Sequence, residues 1–310
     1  MSRLTNIQAR RTRARSGYTL VELLVTMALL GVVSTVMVKL MMGQQRFYQK
    51  QSSQMDVRRE LRTTMTMLPA DLRSLSSSGG DLTNFSSTSI TFRNVLGASI
   101  VCAKPNNHTM DLPPLSMARN TLTAWYTQPQ VGDTVFAFNE GLLRGAEDDS
   151  WTGMIITSVS QDASFCPASV YTDAALDAGK PRFRIVVGPI IPDSVKIGAG
   201  LRFVRSTRYS LAASATNNWY LYRSEYQGGA WGTDVPVTGP FNTALGSAPG
   251  GLRFTFFDST GAPVVNVANS RSVARIDLFL SARGVSASNT GPSATVQDSL
   301  TFRIALRNRQ

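Results

Sequence analysis

The chain divides by the pattern of its apolar positions into one long helical stretch followed by strands. Between Glu22 and Lys39, the 16 residues Leu23 to Val38 carry no charge and no proline, and Thr26, Ser34 and Thr35 are their only hydroxyls. The run from Tyr18 to Met42 counts 25 residues, long enough at ~1.5 Å per residue to cross a ~30 Å hydrocarbon core. Beyond Met42 the pattern becomes amphipathic. Leu61, Met65, Leu68, Leu72 and Leu75 recur at intervals of 4, 3, 4 and 3, while Arg58, Arg59, Arg62 and Arg73 occupy other faces, the signature of a helix laid on a core. Phe47, Gln51 and Met55 extend this stripe back toward the apolar run. One helix is therefore expected from Tyr18 to about Ser76, with a kink at Pro69. Ser76-Ser77-Ser78-Gly79-Gly80 supplies its stop.

Downstream, the period changes from helical to twofold. Leu252, Phe254 and Phe256 alternate with Arg253 and Thr255; Ile276, Leu278 and Leu280 with Arg275 and Asp277; Leu300, Phe302, Ile304 and Leu306 with Thr301, Arg303 and Arg307. Each reads as a half-buried strand. Asp258-Ser259-Thr260-Gly261 suggests a hairpin turn into the run Pro263 to Val267. Further strands are expected at 89–92, 134–138, 154–159, 182–187, 201–209 and 219–222. One long helix followed by antiparallel strands defines an α+β class. The expected organisation is a basic leader at 1–17, a membrane-spanning segment at 18–42, its amphipathic continuation at 43–77, and a β-rich domain at 78–310. Residues from about 100 to 192 form a candidate insertion.

Charge sharpens this division. The formal net charge is +11, and five of the positive charges are Arg3, Arg10, Arg11, Arg13 and Arg15, all ahead of Gly17 with no acid among them. These arginines keep the leader cytoplasmic and send the bulk of the chain across the membrane. A secretory signal is cut after its apolar segment, at small residues; here the small residue Gly17 precedes that segment, so cleavage there would keep the helix. Glu22 is the anomaly. A carboxylate in lipid costs ~2.5–3.5 kcal/mol at the bilayer centre and less toward the interface. Two readings remain open for Glu22: pairing with a new α-amino group on Tyr18 of a neighbouring chain, or snorkelling to the interface beside the helix N-terminus.

The remaining candidate chemistry is sparse. Cys102 and Cys166 are the only cysteines, without a CxxC, so zinc and iron–sulfur ligand sets are not expected; the pair is a candidate disulfide in an oxidising compartment, the alternative being two separate buried thiols. His108, the one histidine, lies in a polar turn-like loop. Glu147-Asp148-Asp149 lacks the alternating spacing of a calcium loop, and no phosphate-cradling glycine motif occurs. Trp219, Tyr220, Tyr222, Tyr226 and Trp231 read either as strand packing or as a base-stacking surface. No cofactor is expected, and nothing points to an enzyme.

Gly17-Tyr18-Thr19-Leu20-Val21-Glu22-Leu23-Leu24-Val25, followed by Leu29-Leu30-Gly31, resembles the leader-cleavage and N-methylation motif of type IV pilins and type II secretion pseudopilins. The resemblance implies a pilin-like fold, cleavage by prepilin peptidase between Gly17 and Tyr18, methylation of Tyr18, and Glu22 as the filament-assembly charge. Tyr18 stands where phenylalanine is usual, and Lys39 where many major pilins carry a proline. Arg73, the strand around Tyr209, the aromatic run from Trp219 to Arg223, the Gly250-Gly251-Leu252-Arg253-Phe254 strand and the end Leu306-Arg307-Asn308 are similar to large PilW-like minor pilins. By that resemblance the chain is a minor pilin that initiates or caps pilus assembly. Its implied partners are prepilin peptidase, other major and minor pilins, membrane lipid and an inner-membrane assembly platform, and its destination is the inner membrane and then the pilus or cell surface. The alternatives are a type II secretion pseudopilin, and an adhesive or nucleic-acid-binding tip module.

Overall fold

A computed structural model of the chain describes residues 17–141, 148–166, 170–173, 175–216, 218–241, 251–285 and 295–306. The leader arginines, Glu147, Gly250, Arg307 and Asn308 lie outside the described residues. The helix α1 (Leu20–Arg73) runs unbroken for 54 residues, with Pro69 inside it, so it spans about 81 Å at the α-helical rise. It stops where Ser74 caps it, the Ser74 hydroxyl donating to the Asp71 carbonyl at 2.7 Å. The next turn is closed by Asp81, whose carboxylate accepts from the Ser76 amide at 2.9 Å.

Among the described residues fifteen strands follow: β1 (Leu82–Phe85), β2 (Ser89–Ile100), β3 (Ala103–Asn106), β4 (Thr109–Leu112), β5 (Ala124–Trp125), β6 (Thr134–Asn139), β7 (Ser150–Asp162), β8 (Arg182–Gly188), β9 (Gly200–Ala213), β10 (Trp219–Gln227), β11 (Ala230–Trp231), β12 (Val235–Phe241), β13 (Leu252–Phe257), β14 (Arg275–Val285) and β15 (Thr295–Ala305). Pairing is antiparallel throughout, along the path β13-β14-β12-β10-β9-β6-β7-β8-β4-β3, with β15 beside β14 and β2 beside β9. The arrangement is the expected α+β one: a long apolar N-terminal helix and an antiparallel sheet.

Two expectations need correction. The turn at Asp258 to Gly261 forms, the Asp258 amide bonding the Ala262 carbonyl at 3.0 Å, but the returning arm is not a strand to Val267: Pro263 makes an isolated antiparallel bridge to Phe257, the Val264 amide bonds the Phe256 carbonyl at 2.8 Å, and a 3₁₀ turn begins at Val267. Proline cannot donate to a ladder, and the Asn266 side chain diverts the chain by accepting from the Ala268 amide at 2.9 Å. The helix stripe is also shorter than expected. Phe47, Gln51 and Met55 are exposed, and burial starts at Val57.

The described residues form two hydrophobic cores. In the first, Val57, Leu61, Leu68 and Leu72 of α1 pack on Phe92, Tyr209, Leu221, Phe254, Leu278, Ile304 and their neighbours. At its edge, Thr64 and Thr238 share a hydroxyl–hydroxyl bond of 2.9 Å, and Thr238 donates to the Glu60 carboxylate at 2.8 Å. The second core gathers Met110, Val135, Met154, Ile185 and Phe203, and also takes in Leu96 and Leu201. Beside it Cys102 and Cys166 are joined, their Cα atoms 5.8 Å apart. The buried Arg182 guanidinium holds the same loop by donating to the carbonyls of Phe165 and Cys166, each at 2.9 Å.

β9 serves both cores, because Leu201, Phe203, Tyr209 and Leu211 share one of its faces. Along its other edge from β2, residues 201–204 pair with β6 and residues 207–213 with β10. Arg205 occupies the fork. Its guanidinium grips Asp133 in two bonds of 2.7 and 2.9 Å and reaches Glu225 at 3.0 Å, and Glu225 pairs onward with Arg223 at 2.7 Å.

Candidate functional site: the exposed N-terminal helix

Thr19 starts the helix. Its extended backbone places its hydroxyl to accept from the Glu22 amide at 3.3 Å, while its carbonyl accepts from the Leu23 amide at 3.2 Å. Thr19 was not singled out from sequence, although Thr-x-x-Glu is the spacing of a capping box. The cap leaves Gly17 and Tyr18 outside the helix, ahead of its first turn, and fixes Glu22 within that turn. A carboxylate there faces the positive end of the helix dipole. Among the described residues, the Glu22 side chain meets no cation of its own chain within ion-pair distance.

Every residue from 17 to 52 is exposed, including Tyr18 at 85%. The helix is long and apolar enough to cross a membrane, and none of its most apolar window is buried against the rest of the chain. Two of its hydroxyls are satisfied internally: Thr26 donates to the Leu23 carbonyl at 2.9 Å and Thr35 to the Gly31 carbonyl at 2.8 Å. That matters in lipid, where no water replaces a missing partner. Among the described residues, what distinguishes this segment is an apolar surface that no other part covers, ending at an acid with no cation beside it.

The other sequence candidates are scattered. His108 bonds the Val187 carbonyl through Nδ1 at 3.0 Å. Asp149 accepts from the Gly141 amide at 3.2 Å. Among the described residues no group of histidine, cysteine and carboxylate side chains is placed to hold a metal ion. The aromatic run splits: Trp219 packs on the first core, whereas Tyr226 and Trp231 meet edge to face at 5.4 Å with Arg208 over the Trp231 ring.

Comparison with known families places the prokaryotic N-terminal methylation motif on residues 12–38. The match supports a type IV pilin or pseudopilin-like structural subunit; the motif implies processing by prepilin peptidase and assembly with other pilins, and the apolar helix behind it fits a membrane anchor. Neither a search of curated proteins nor a search of solved structures returned a match.

Proposed function

We propose that the chain is a minor type IV pilin. Prepilin peptidase cuts between Gly17 and Tyr18 and methylates the new Tyr18 amine, and α1 then leaves the bilayer to pack among the helices of other pilins. The observation that carries this reading is the bare stretch 17–52, exposed in the chain alone although Leu23 to Val38 is uncharged. Such a surface is stable in lipid or against other apolar helices, and not in water. Glu22 gives the second environment its register, since the Tyr18 amine of a neighbour neutralises it there. Size supports a minor role, because a β-rich domain of this bulk suits a few copies at an end more than a close-packed shaft. The motif fits a type II secretion pseudopilin equally; the machine that recruits the chain separates the two.

The test is recovery of the chain in filaments sheared from its native host. Gly17→Ser leaves precursor of unreduced mass, because the peptidase needs the small residue before the bond. Glu22→Ala is processed normally but is recovered at least ~10-fold less, the equivalent of ~1.4 kcal/mol of lost pairing. Wild-type recovery of Glu22→Ala would remove the charge pair from the mechanism, and a retained leader in the wild-type chain would sink the whole reading.

A further inference from the structure

A cleft of 790 Å³ opens between the last turns of α1 and the face of the sheet formed by β9, β10 and β12. Met67 and Asp71, one turn apart on α1, line it together with Val237 of β12. Tyr209 and Arg223 are cross-strand partners, and Glu225 lies two residues farther along β10, so all three point to the same side of the sheet and into the floor.

Three of these charged or polar groups are already engaged. Arg223 is held by Glu225 at 2.7 Å, Glu225 is also held by Arg205 at 3.0 Å, and the Tyr209 hydroxyl donates to Asp71 at 2.7 Å. The chain Asp133, Arg205, Glu225, Arg223 alternates in sign and cancels. Asp71 does not. Among the described residues its carboxylate has the Tyr209 hydroxyl and no cation within ion-pair distance, Arg223 in the same floor being taken by Glu225. Burial, reinforced by the charge of Asp71, pushes the Tyr209 phenol far above its ordinary pKa. It therefore stays a neutral donor, and its hydrogen bond brings Asp71 no positive charge.

A carboxylate in an open cleft, beside methionine and valine, matches a cation carried on an aliphatic stem: the stem covers the apolar wall while the head meets the acid. We propose that this cleft is a binding site for a basic side chain, an ammonium or guanidinium on an aliphatic stem, with Asp71 as its counter-ion. Two sources share that chemistry, a free basic small molecule and a lysine or arginine displayed by a second protein chain.

The probe is Nα-acetyllysine amide, with neutral Nα-acetylnorleucine amide as control, added to the full chain in detergent micelles and read by saturation-transfer NMR. Expected is transfer to the lysine ε-methylene, none to the norleucine analogue, and loss of at least ~10-fold in affinity in Asp71→Asn. The asparagine carbonyl still accepts from Tyr209, so thermal stability is kept. Val235→Lys, at an exposed position on the rim, sets a competing ammonium there and also weakens the probe without endangering the fold. Carbodiimide cross-linking in native membranes separates the sources. An Asp71–lysine link to another chain identifies a protein partner. Probe binding without such a link identifies a free small molecule. Equal transfer to both probes, undiminished binding in Asp71→Asn, or neither probe binding nor cross-link overturns the proposal.

Discussion

Arg205→Met is expected to destabilise the sheet domain by about 3–5 kcal/mol, the usual result of removing one partner from a buried ion pair. Arg205 is 5% exposed and Asp133 1%, so deleting the guanidinium strands a carboxylate that water does not reach. Asp133 cannot turn away, because its side chain and backbone already close the approach to β6: its carboxylate accepts from the Gln130 amide at 2.7 Å, and its carbonyl accepts from the Ile156 amide at 2.9 Å. The damage falls on the fork where β9 exchanges β6 for β10, between Phe203 of one core and Tyr209 of the other. Denaturant unfolding of the chain in micelles, followed by tryptophan fluorescence, measures it. Adding Asp133→Leu to Arg205→Met should return part of the loss, since two apolar groups leave no charge to desolvate, and the double-mutant cycle isolates the pair. A loss under ~1 kcal/mol in the single variant would show that the fork is held by packing alone.

What the sequence made legible follows from what each element needs. The three strands with strict alternation became β13, β14 and β15: Leu252, Phe254 and Phe256 of β13 and Ile276, Leu278 and Leu280 of β14 are buried as a period of two implies, whereas on β15 Ile304 is buried, Phe302 half-buried and Leu300 exposed. β12 was not among the expected strands: Pro236, Gly239 and Pro240 are poor strand formers, yet the segment pairs with β10 and buries Thr238 and Phe241. Its strand character comes from its neighbours and not from local propensity. β3 and β4 were missed for a similar reason, being four residues each and built around Lys104, Pro105 and Asp111. The long N-terminal helix was legible because its apolar run is contiguous and its signal is composition. The cleft was invisible because Asp71 and Tyr209 are 138 residues apart in the chain, and only the packing of α1 on β9 brings them together.

Periodicity also misled in one instructive place, and that place separates the two jobs of α1. The stripe through Phe47, Gln51 and Met55 is genuine as a pattern, but a helical period reports that a face is apolar without saying which molecule covers it. Leu68 is fully buried in the first core while Phe47 is 64% exposed. Leu68→Ala should therefore cost about 2–5 kcal/mol in denaturant unfolding, from the lost transfer energy and the cavity left beneath the helix. Phe47→Ala should change the stability of the isolated chain by no more than ~0.5 kcal/mol, as exposed substitutions generally do. In sheared filaments the order should reverse: Phe47→Ala folds normally yet is depleted, whereas the portion of Leu68→Ala that remains folded still enters. Were Phe47→Ala to unfold the domain as Leu68→Ala does, the upper helix would have a partner within its own chain. The bare surface on which the assembly reading depends would then not exist.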